Sequence, residues 1–130
     1  MQLPETWLAL SALALIAAAV IGGAITAFVR LADKNTPFDI GLLHGRTGVL
    51  GAMLLAASFF IGNETTQSIK PALGLLALTV LGGVTLYFLI RRKGILPKSI
   101  IFIHGAFAVG AVHTLLFGLP FYQLIPTITR

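Results

Sequence analysis

Residues 22–45 read GGAITAFVRLADKNTPFDIGLLHG, and residues 82–105 read GGVTLYFLIRRKGILPKSIIFIHG. Set sixty positions apart, they align Gly22-Gly23 with Gly82-Gly83, Phe28 with Phe88, Pro37 with Pro97, Ile40 with Ile100 and His44-Gly45 with His104-Gly105. The chain reads as a duplicated unit, with repeats over residues 6–61 and 66–121. Two of the three histidines in 130 residues thereby become symmetry mates. Each begins an apolar helix, and each unit carries a glycine pair. Paired histidines point to a shared ligand.

Around these stretches the composition sets the environment. The chain is 57% hydrophobic and 10% charged, with a mean hydropathy of +0.97, whereas soluble domains carry about 25% charged residues. Apolar runs cover residues 7–29, 40–62, 72–90 and 99–119. Each approaches the roughly 20 residues that a helix needs to cross the hydrocarbon core. Backbone groups in lipid must bond internally, which favours helices. The expected fold is an all-α membrane protein, a single transmembrane domain over residues 1–130. The first run is too long, and its flank too poor in positive charge, for a cleaved signal peptide.

Charge sets the expected orientation. Arg30, Lys34, Arg91, Arg92, Lys93 and Lys98 lie in or beside the first and third loops, against Lys70 and Arg130 on the other side. The positive-inside rule puts those loops in the cytoplasm and both termini outside, as in a multi-pass protein of a bacterial inner membrane. The net charge of +5 is then a topology signal and an attraction to anionic lipid, not a nucleic-acid footprint. With no cysteine, disulfides, thiolate sites and iron–sulfur ligation are excluded.

Turn signals fall at Asn35-Thr36-Pro37, between Gly94 and Pro97, and at Gly62-Asn63-Glu64-Thr65-Thr66. Such short links make neighbours antiparallel and predict an up-down four-helix transmembrane bundle built from two repeated two-helix hairpins. The hairpins run parallel about a pseudo-twofold axis along the membrane normal, between helices 2 and 4. At a rise of about 1.5 Å per residue, His44 and His104 sit about 9 Å in from the cytoplasmic end, and both glycine pairs about 10–12 Å in. Histidines and glycines share a layer. An imidazole from each of two helices, with surfaces free of side chains on the other two, describes a slot for a flat macrocycle held by two axial ligands. His44, Gly48 and Gly51 share a helix face, as do His104, Ala108 and Ala111. These small-residue seams are expected to bring helix 2 against helix 4.

The pattern resembles the four-helix core of the cytochrome b family over about residues 8–118, in helix order, residue types and depth. The resemblance implies His44 and His104 as axial ligands of haem b, and Gly22 or Gly23 with Gly82 or Gly83 as clearance for the ring. Cytochrome b holds two haems through a second histidine further along each ligating helix. The corresponding positions here are Ser58 and Gly118, so one haem is implied, on the cytoplasmic side.

His113 lies nine residues beyond His104, half a turn out of phase and about 13 Å deeper. Its repeat mate is Met53. An ordinary buried histidine or a quinone contact on the outer half are its readings. Arg46 sits about 200° around the helix from His44 and is read as snorkelling to lipid phosphate. No carboxylate lies within a span, which argues against a proton-coupled carrier. Three functional classes follow. One is a single-haem b-type membrane cytochrome that transfers electrons with quinone or within a larger respiratory complex. Another is a cofactor-free accessory subunit, beside other membrane subunits or further copies of itself. The third is a small ion channel or transporter, because Gly22-Gly23 followed by Arg30 resembles the first helix of small fluoride channels, without their membrane asparagine.

Overall fold

The computed structural model describes residues 3–34, 38–61, 69–93 and 97–117. These form four helices, α1 (Leu3–Leu31), α2 (Phe38–Ile61), α3 (Ile69–Lys93) and α4 (Lys98–Phe117), and no strand. Each is long and apolar enough to cross a membrane. Pro4 and Pro71 fall in the first turns of α1 and α3, where a helix has no use for their missing N–H. The carbonyl of Pro97 starts α4 by accepting from the amides of Ile100 at 3.0 Å and Ile101 at 3.2 Å. The turn signals at residues 35–37, 62–66 and 94–96 lie outside the described residues.

The end of α1 is closed by an acidic residue. Asp33 adopts φ 57°, the left-handed conformation usually given to glycine at this position. The amide of Lys34 then reaches the Val29 carbonyl, and that of Asp33 the Arg30 carbonyl, each at 3.0 Å. The same carboxylate bridges to Lys98 Nζ at 2.8 Å, tying the end of α1 to the start of α4.

Each helix packs on the next, and α4 closes on α1. Packing is tightest within the pairs α1/α2 and α3/α4 and sparser between them. Ala12, Ile16, Leu55, Leu76 and Ala111 form the buried core. They come from early α1 and α3 and late α2 and α4, so neighbouring helices alternate in direction and the apolar core fills one end of the bundle. Elsewhere large apolar side chains face outward, among them Phe28 at 77% exposure and Phe60 at 80%. A water-soluble surface of this size rarely carries such continuous apolar exposure. Helical hydroxyls bond inward instead: Thr26, Thr79 and Thr114 each donate to the carbonyl one turn back at 2.8 Å. That leaves these hydroxyls satisfied within their own helices.

The small-residue seam of α2 turns elsewhere than expected. A Cβ on Gly48 would lie 3.5 Å from Ala19, and one on Gly51 only 2.9 Å from Ile16 Cγ1 and 3.1 Å from its backbone nitrogen. The seam therefore lets α2 press on α1, its hairpin partner. No Cα pair links α2 to α4 within 8 Å among the described residues. Loss of side chains at Gly48 and Gly51 favours the nearest available helix, and the hairpin supplies it first.

Candidate cofactor site

The end of the bundle opposite the apolar core holds the two repeated histidines. His44 lies near the start of α2 and crosses to α1, where its Nδ1 is 2.8 Å from the carbonyl oxygen of Ala19. His104 does the same from α4 to α3, with Nδ1 2.8 Å from the carbonyl of Thr79. Donor and acceptor are twenty-five residues apart in both cases. A carbonyl oxygen only accepts, so each Nδ1 carries the hydrogen. In a neutral imidazole this leaves the lone pair on Nε2. Among the described residues neither Nε2 has a hydrogen-bond partner.

The glycine pairs seat these rings. A Cβ on Gly23 would lie 2.7 Å from His44 Cε1, and one on Gly83 3.2 Å from His104 Cε1. Gly22 and Gly82 face the Cβ atoms of the same histidines at 3.6 and 3.4 Å. The sequence places glycines and histidines in one layer, and they touch there. The clearance serves the imidazole first, letting it lie against the backbone of the neighbouring helix and reach a carbonyl one turn away.

The two rings meet across the centre of the bundle. Their centroids are 6.0 Å apart and their planes cross at 86°. Two imidazoles on one metal ion, with bonds of about 2 Å, place their ring centroids about 6 Å apart. Among the described residues no cluster of three or more His, Asp or Glu side chains is present. Two nitrogen donors fall short of the four ligands of a structural zinc site. Two is the number of protein ligands that a haem iron would need from His44 and His104.

The remaining polar residues stand apart from the pair. His113 is exposed, with its ring 4.9 Å from that of Phe117. Its repeat mate Met53 is 63% exposed. The reading of His113 as buried is therefore corrected: the half-turn offset from His104 turns it out of the bundle. Arg46 is exposed on α2. Buried Ser58 donates to the Leu55 carbonyl at 2.8 Å and offers no second ligand; Gly118 lies outside the described residues. No protein-family model, curated protein or solved structure matches this chain.

Sequence reasoning missed the carbonyls of Ala19 and Thr79. Every residue has a carbonyl, so no residue type could announce them. The usable signal was spacing, since both lie one helical turn before a glycine that faces the imidazole.

Proposed function

We propose that this chain is an integral membrane cytochrome of two repeated hairpins, in which His44 and His104 hold one b-type haem and the protein carries electrons within the membrane. The observation that carries the reading is the matched pair of Nδ1 bonds, which leaves two Nε2 lone pairs on rings 6.0 Å apart. Donation of the other ring N–H to a backbone carbonyl is the usual support of a metal-bound histidine, fixing the tautomer and raising ligand basicity. Haem held there by His44 and His104 would supply a one-electron iron couple, tuned by those two histidines and by the apolar surroundings.

The protein's own part is to bind and to orient. Ala19 and Thr79 aim the imidazoles, and Gly22, Gly23, Gly82 and Gly83 let them come close to α1 and α3. The apolar core around Ala12, Ile16, Leu55, Leu76 and Ala111 excludes water from one side of the layer. Duplication is supported by burial as well as by sequence: Ala12 and Ala72, Ile16 and Leu76, and Gly51 and Ala111 are buried at positions sixty apart. In a bacterial inner membrane the positive-inside rule sets the histidine layer toward the cytoplasm and the termini outside.

An absorption spectrum of the purified protein tests the reading. Protein from haem-sufficient cells is expected to show a sharp α-band on reduction. Colourless protein that takes up no added haem overturns the cytochrome reading and favours an accessory subunit.

A further inference from the structure

The nitrogen pair left by the carbonyl bonds defines a site that needs no macrocycle. The 6.0 Å between the ring centroids of His44 and His104 is the span of two imidazoles bonded to one ion at about 2 Å. Both rings are already held, because Nδ1 of each is 2.8 Å from a backbone carbonyl of its own hairpin, on Ala19 and on Thr79. A bare ion asks for no room beyond the gap between them.

The donors decide which ion. Among the described residues no third His, Asp or Glu joins the pair, so ions that take four or more ligands from a protein are poorly served. The chain has no cysteine, and Met53 turns outward at 63% exposure, which leaves the site to nitrogen. Two neutral imidazoles bring no negative charge either. Both histidines stand six residues into their helices, about 9 Å from the first residue. The cost of taking an ion out of water rises with the square of its charge, so neutral ligands at that depth favour a monovalent ion over a divalent one.

Monovalent copper meets these conditions together. Imidazole suits copper, and the closed-shell monovalent ion is content with two nitrogens in line. Ring planes crossed at 86° do not hinder such a pair, since an ion on the axis between two rings is indifferent to their twist.

We propose that His44 and His104 form a linear two-coordinate site for Cu(I), bound through the two Nε2 atoms and shared between the hairpins. This site does not rest on the haem reading. Haem and the ion would use the same two nitrogens and so exclude each other.

The test uses the full-length protein, purified without haem in detergent and titrated anaerobically with Cu(I) supplied as its bicinchoninate complex. One Cu(I) per chain is expected, with two nitrogen neighbours and no sulfur by X-ray absorption. His44→Gln and His104→Gln keep an amide donor for the Ala19 and Thr79 carbonyls but carry no imidazole. Each should lose the ion while staying helical by circular dichroism, whereas His113→Ala should bind as wild type does. Cu(I) retained by either glutamine variant, a sulfur neighbour, a third protein nitrogen, or equal competition by Zn(II) overturns the site. Haem-loaded protein should refuse the ion, and binding of both together overturns the site as well. The two readings fail separately. A wild type that takes Cu(I) and never haem sinks the cytochrome and leaves this site standing, and one that takes no Cu(I) sinks this site whatever it does with haem.

Discussion

The imidazoles of His44 and His104 stand 6.0 Å apart between centroids with their planes crossed at 86°, although the helices that carry them keep apart. Each ring is aimed by its own hairpin, so their mutual geometry reports how the hairpins are placed. A ligand that gripped both rings would join the less closely packed halves of the molecule.

Loss of either ring should therefore have the same effect. His44→Ala and His104→Ala are each expected to abolish the reduced α-band, whereas His113→Ala leaves it intact. Optical spectra of the three purified variants check this. Retention of the band in either of the first two would remove that residue from the ligand set.

The glycines should rank by what a methyl group meets. Gly51→Ala drives a Cβ against the Ile16 backbone, which cannot yield, and is expected to cost about 1–3 kcal/mol. Gly23→Ala presses on the His44 ring at 2.7 Å and should cost more than Gly83→Ala, where the ring is 3.2 Å away. Gly45→Ala and Gly74→Ala meet nothing within 4 Å and should stabilise by up to about 1 kcal/mol through helix propensity. Thermal unfolding in one detergent gives the order. Equal losses at Gly23 and Gly45 would mean that His44 is not seated on α1.

Asp33 combines two opposing roles. Its left-handed backbone costs about 1–2 kcal/mol, and its exposed bridge to Lys98 returns at most about 1 kcal/mol. Asp33→Gly is accordingly expected to be neutral or stabilising, and Asp33→Ala destabilising. Unfolding of both variants at low and high salt resolves the terms, because only the bridge is screened.

The basic ends of α1 and α3 predict an orientation by the positive-inside rule. Single cysteines at Lys34 and Gly94 are expected to react with a membrane-impermeant maleimide only after the membrane is opened. Labelling from outside intact cells would reverse the topology.

The four helices were legible because twenty-odd apolar residues in a row leave little choice of structure. The histidine and glycine layer was legible too, since repetition at sixty residues marks positions that hydropathy alone does not. Partner choice was not. Gly48 and Gly51 share a face with His44, but a face names no neighbour, and both turned out to serve α1. The sequence reading buried His113, although its half-turn offset from His104 pointed away from the bundle, where it is exposed.

Ala19 and Thr79 share nothing chemically beyond the main chain, and each receives an imidazole through it. The bond to each imidazole does not depend on the side chain at its anchor, although buried Ala19 must stay small because it packs against Gly48. Sensitivity moves from side-chain identity to helical phase. One residue inserted between His44 and Gly48 turns the ring by about 100° relative to the α2 face that grips α1. Such an insertion breaks the site even where every residue type is kept, and the inheritance of this site is written in counted residues.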